Sequence, residues 1–387
     1  MRPLKWKTQM RTAGTRESVF LRVVSLGLLT FTTVFSAAAQ SPSATRLKAE
    51  AAQAQNEGKD SVATALYTQA LALDPTWLEG WWRYGGLLYQ AHEFQQAATA
   101  FGHLTQLAPQ NSLGFAMLGV SEFELQDWSN ASLHLNKALA RGGLPEAIAD
   151  GAMYDYGLVL MRQKNRNGAL AVLRLLQNRA PDYPSLVPAF GSAELNMDRI
   201  PVPGAKDADA VDLEGKAAIS VLKLKPDEAE AFYRKAIVEY PQLPFAHLCL
   251  ALFLDNLGRE DETVAELLAE TKVNQVSPDP WIWLGRLALA KRNGAQTIPY
   301  AQEAVKRDPN DGLPYLILGK GYILKQQWSD AFEALSKAEK LAPDSYEIHY
   351  ALATVYGAMN DPASALAERK LFAQSYRVLH QKKDGEQ

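Results

Sequence analysis

Cysteine is almost missing: Cys249 is the only one, which excludes an internal disulfide and any thiolate cluster around a metal. Its neighbours Leu248, Leu250 and Leu252 make it a small apolar side chain on a helix. The six histidines show no pair at metal-ligand spacing. A zinc-protease His-Glu pair, a Gly-Lys-Ser/Thr phosphate loop and a nucleophile elbow are all missing. Gly319-Lys320-Gly321 looks like a phosphate-loop fragment but falls inside a helical pattern. Asn130-Ala131-Ser132 fits a glycosylation sequon, yet Ala131 sits at a packing position. No catalytic residue, metal or cofactor is therefore expected, and the chain is not expected to be an enzyme.

An excess of basic charge is also lacking. The formal net charge is −3 for the whole chain, and six of its basic residues fall within the first 39 positions against one acid. The remainder is acidic, which argues against nucleic acid as a partner, since phosphate binding relies on a basic stripe. No segment beyond the leader alternates apolar and polar residues over a strand's length, so no sheet is expected.

Residues 1–40 read as an export signal. Arg2, Lys5, Lys7, Arg11, Arg16 and Arg22 form a basic leader, Val23 to Phe35 is an uncharged run of 13 residues, and Ala37-Ala38-Ala39 supplies small residues for cleavage before Gln40. A run of that length is short for a bilayer, which takes about 20 residues. The alternative is an uncleaved N-terminal membrane anchor. No cysteine follows the run, so a lipoprotein-type anchor is not available.

What the chain does contain is a repeating pattern. Between Pro278 and Pro343, Trp281, Leu284, Gly285, Ala288, Ala301, Ala304 and Pro309 are followed 34 residues on by Tyr315, Leu318, Gly319, Tyr322, Leu335, Ala338 and Pro343. Leu318 and Tyr322 share one helix face, and Ala331, Leu335 and Ala338 share another, so each unit reads as two short amphipathic helices ended by proline. A mid-helix glycine costs about 1 kcal/mol against alanine, so Gly285 and Gly319 imply close helix approach. Trp81, Tyr84, Gly85, Leu88, Ala97, Phe101 and Pro109 repeat the pattern upstream, as do Leu118 and Gly119, then Gly157 and Leu173.

This pattern resembles the tetratricopeptide repeat, W-x2-L-G-x2-Y…A-x3-F…P, over about 300 residues and roughly nine units. The resemblance implies an all-α, right-handed α-solenoid superhelix. The expected organisation is a signal over 1–40, about four repeats over 41–181, and a Pro/Gly-rich insertion over 182–209. About five repeats follow over 210–380, the last one capping, with a tail over 381–387. His247 and His349 take the aromatic fourth position of their units and are expected to pack rather than ligate. Phe94, Trp128 and Trp328, at the start of second helices, are expected to plug the hairpins.

In this family the first helices line an inner groove. Carried onto this chain, the family's inward positions imply a partner-binding set of Trp82, Tyr89, Phe123, Tyr154, Met161, Phe245, Arg286, Leu316 and Tyr350, with Leu252 and Ile323. Lys48 stands where a family clamp for acidic C-termini begins, but Ala52 and Arg83 replace its asparagines, so that activity does not carry over. The expected function is an exported, non-enzymatic module that binds a protein or peptide. The alternative is a scaffold subunit of an envelope machine for polysaccharide export or outer-membrane assembly. N-terminal sequencing of the exported protein is predicted to begin near Gln40; an intact Met1 on cytoplasmic protein would refute the leader.

Overall fold

The computed structural model describes residues 42–384; the leader 1–40 and its cleavage site lie outside the described residues. Nineteen helices and no strand occur among them. The first eight are α1 (Pro42–Asn56), α2 (Asp60–Leu73), α3 (Leu78–Gln90), α4 (Phe94–Leu107), α5 (Ser112–Glu124), α6 (Trp128–Arg141), α7 (Glu146–Arg162) and α8 (Arg166–Arg179). Next come α9 (Leu186–Glu194), α10 (Ala208–Leu222) and α11 (Pro226–Glu239). The rest are α12 (Ala246–Asn256), α13 (Glu260–Val273), α14 (Asp279–Ala290), α15 (Gly294–Arg307), α16 (Gly312–Leu324), α17 (Trp328–Leu341), α18 (Tyr346–Ala358) and α19 (Pro362–Asp384). The fold is all-α, built from consecutive helix–turn–helix pairs. It divides into two compact units at residues 229 and 230, within α11.

One backbone rule makes the pairs. Two residues before each second helix the chain turns through positive φ, at Gly58, His92, Gln126, Lys164, Leu224, Gly258, Arg292, Gln326 and Asn360. A single left-handed residue ends the first helix and aims the chain back along it. Side chains then hold several helix starts: Asn111, Asp127, Asn165, Asn293 and Asp311 each accept a hydrogen bond from a backbone N–H two or three residues on.

Packing within a pair follows from two positions. Early in the second helix a small residue is fully enclosed: Ala63, Ala97, Ala131, Ala169, Ala229 and Ala331. One turn later comes a large one, Tyr67, Phe101, Leu135, Leu173 or Leu335, also without solvent contact. For the last four of these a glycine of the first helix makes room, whereas Tyr67 packs with Ala51. A Cβ on Gly85, Gly119, Gly157 or Gly319 would lie 2.8, 2.8, 3.1 or 2.5 Å from Phe101, Leu135, Leu173 or Leu335, respectively. Gly285 differs, because Ala301 stands opposite it. There the nearest atom is Ile317 Cγ2 of the following first helix, at 3.0 Å.

The segment read as an insertion, 182–209, contains a helix of its own. Pro181-Asp182-Tyr183-Pro184 ends with Ser185 at φ 63°, and Pro241-Gln242-Leu243-Pro244 ends with Phe245 at φ 72°. Each thus launches a first-type helix, α9 and α12. The chain leaves α9 through Asn196 at φ 51°, the same exit that first helices use elsewhere. No second helix follows at once; a loop through Pro201 and Pro203 leads instead to α10. The two helices α9 and α10 pack together backbone to backbone. A Cβ on Gly191 would lie 1.8 Å from the Val211 carbonyl oxygen, and one on Gly215 would lie 1.9 Å from that of Val187.

Because backbone cannot swing aside as a side chain can, Gly191→Ala and Gly215→Ala are each predicted to destabilise by roughly 3 kcal/mol or more through overpacking. Gly102→Ala, where a Cβ meets nothing within 4 Å, should be neutral or slightly stabilising. Denaturant midpoints of the three variants check this ordering.

Candidate functional site

The residues assigned to the inner groove separate by burial. Trp82 (3% exposed), Tyr154 (7%), Met161 and Leu316 are core side chains. Trp82 packs on Phe101, ring centroids 5.8 Å apart, and Tyr154 on Tyr183 at 5.2 Å. The reason is geometric: consecutive first helices also touch each other, as α5 does α7 and α16 does α18. Inward positions between such helices become filler. Tyr89 and Phe123 are half-buried and meet the rings that open the second helices, Tyr89 on Phe94 at 5.2 Å and Phe123 on Trp128 at 5.5 Å, both edge-on. Phe94 and Trp128 do plug their hairpins.

Three assigned residues of the C-terminal unit reach solvent. Phe245 is half-buried, Arg286 is exposed with its guanidinium 4.8 Å above the Trp283 ring, and Tyr350 is 63% exposed. Lys320 of α16 pairs with Glu347 of α18 at 2.5 Å, so charge as well as ring surface is presented along these first helices.

Tyr350 does not stand alone. Phe372 of α19 lies 5.7 Å from it, and Tyr346 and Tyr376 complete a cluster with ring centroids 5.6 to 6.1 Å apart. Tyr376 is 44% exposed. The repeat pattern makes α19 a cap and does not single out Phe372 and Tyr376. Their signal was the spacing of four, which places both on one helix face.

Two further features were not foreseen. Glu270 of α13 stands where other pairs carry alanine, as at Ala236, Ala304 and Ala338, and its side chain is fully buried. Its carboxylate accepts hydrogen bonds from Phe245 N at 2.6 Å and Leu248 N at 3.3 Å, holding the start of α12. Burial raises its pKa, against the pull of those N–H groups. In the N-terminal unit a shallow pocket of about 500 Å³ lies between α2, α3 and α4, lined by Leu71, Trp81, Tyr84 and His103 among others. Trp81 stacks on His103 there at 4.4 Å and donates its Nε1–H to the Pro75 carbonyl.

Residues 151–183, from α7 to the turn before α9, match the family model described as tetratricopeptide repeat. That unit is a tetratricopeptide repeat, and neighbouring helix pairs repeat its packing. No curated protein matches it. Among solved structures it is similar to MamA from Desulfovibrio magneticus RS-1, with 20% identity, 44% of this chain and 96% of that one covered, and a TM-score of 0.40. It is similar to yeast Tom70 at 15% identity over 86% of this chain and 76% of that one, TM-score 0.37. Pseudomonas aeruginosa pilF gives 15% identity over 62% and 99%, TM-score 0.40.

The burial difference makes a prediction. Trp82→Ala and Tyr154→Ala are expected to cost about 3–5 kcal/mol each, as large core truncations do. Tyr350→Ala should shift the unfolding midpoint little. Thermal and denaturant unfolding of the three single variants distinguishes filler from surface.

Proposed function

We propose that this protein is an exported interaction module whose first-helix surface in the C-terminal unit, around Tyr350 and Arg286, holds a partner protein or peptide. The helical-repeat architecture is that of a protein-interaction scaffold. The finer reading is carried by one observation: four aromatic rings gather on α18 and α19 with Tyr350 left mostly in solvent. Exposed aromatics in a cluster are costly in water and are the usual anchors of interfaces. Arg286, already pre-oriented over Trp283, offers a planar cation suited to a carboxylate or a backbone carbonyl of the partner. Its mechanism is pre-organised surface with no chemical step. The basic leader and the Ala37-Ala38-Ala39 site support export, which would place the partner outside the cytoplasm.

A photoreactive phenylalanine analogue at position 350, in cells, is predicted to form a discrete adduct that Arg286→Ala weakens. The same analogue at Leu133, 58% exposed on the second helix α6, should form none. Equal adducts from both positions, or none from position 350, would remove the assignment.

A further inference from the structure

The last three helices, α17, α18 and α19, bring together three acceptor groups that no local spacing links. His349 of α18 is 3% exposed. Its Nδ1 lies 2.8 Å from Glu368 Oε2 of α19 and 3.8 Å from Glu339 Oε1 of α17. Glu368 is nine-tenths buried as well. The other ring nitrogen, Nε2, is 2.8 Å from the Pro343 carbonyl oxygen. A carbonyl only accepts, so Nε2 carries a proton and donates it there. In the neutral ring Nδ1 is then a lone pair directed at two carboxylates. Such a meeting of acceptors is stable only with a positive charge between them.

The same His–Glu arrangement occurs once more among the described residues, and there it is balanced. His247 holds the fourth position of its unit as His349 does, and Glu266 follows it by the 19 residues that separate Glu368 from His349. Its Nδ1 is 2.6 Å from Glu266 Oε2. The third member is a cation, Arg234, with Nη1 3.9 Å from Glu266 Oε1. In the last pair the third member is Glu339 instead. No lysine or arginine pairs with Glu339 or Glu368 among the described residues. The last unit keeps the His–Glu pair, has Ser336 at the position of Arg234, and brings in a second carboxylate from Glu339, where the earlier unit has Ile237.

We propose that His349, Glu339 and Glu368 bind a divalent transition-metal ion of the zinc type, which fastens the terminal helix α19 to α17 and α18. The ligand atoms lie within 4.8 Å of one another. The Glu339 side chain is 35% exposed, so it is the ligand with most room to move, and zinc would draw the three groups onto bonds of about 2.0–2.2 Å. One imidazole with two carboxylates suits zinc rather than a soft thiophilic ion. A histidine whose second nitrogen donates to a backbone carbonyl is oriented as metal-ligating histidines commonly are. A fourth position is left for water. Sequence spacing pointed away from metal because the three ligands come from three helices.

The test uses the untagged, metal-stripped full chain and zinc chloride. Titration calorimetry is expected to show one equivalent bound, and the unfolding midpoint should rise with zinc concentration by mass action. Glu339→Gln touches the most exposed ligand and should keep the fold by circular dichroism while losing tenfold or more in affinity. His349→Ala should abolish the midpoint shift. His247→Ala, at the arginine-balanced site, should bind zinc as the parent does. Absence of stoichiometric binding, or unchanged affinity in Glu339→Gln, would overturn the proposal and leave a buried His–Glu pair held by a proton alone.

Discussion

Four helix pairs depend on one fit: a large side chain of the second helix lodged over a glycine of the first. Phe101 over Gly85, Leu135 over Gly119, Leu173 over Gly157 and Leu335 over Gly319 are the same knob and hole. The helices are about 14 residues long and would be marginal alone. The fit brings their axes close enough for the alanine one turn earlier to be enclosed, and the left-handed turn residue follows from that closeness. Where the hole has no knob, at Gly285 opposite Ala301, the next first helix supplies Ile317 instead.

That fit explains why most of the architecture could be read from the chain. Trp281, Gly285, Ala301 and Pro309 set a period of 34 residues because each has one steric task that few residue types perform. The unit of α9 could not be read this way. Its identity lies in backbone crossings at Gly191 and Gly215 and in the left-handed Ser185 and Asn196, which leave no apolar periodicity behind. The paired Pro-x-x-Pro segments at 181–184 and 241–244 were the legible clue that α9 and α12 begin alike.

The candidate surface was legible only in part, for a related reason. An inward position on a first helix says where a side chain points, not whether another helix is already there. Of the residues assigned to that surface, Trp82, Tyr154, Met161 and Leu316 are covered, and Arg286 and Tyr350 are not. Tertiary partners decided this, and α19, with Phe372 and Tyr376 one turn apart, supplied ring surface that the repeat pattern does not encode. Glu270 and the His349 cluster escaped for the opposite reason: each replaces or joins a packing position with a charged group whose partners are 10 to 25 residues distant.

Seven of the nine left-handed turn residues are not glycine: His92, Gln126, Lys164, Leu224, Arg292, Gln326 and Asn360. A side chain in that conformation carries a local penalty of about 1–2 kcal/mol, least for asparagine. The array is thus assembled from joints that are each held slightly against their own preference. Protein engineers inherit seven adjustable screws at these joints. Each can be eased singly, to change how readily one pair opens while its neighbours stay closed.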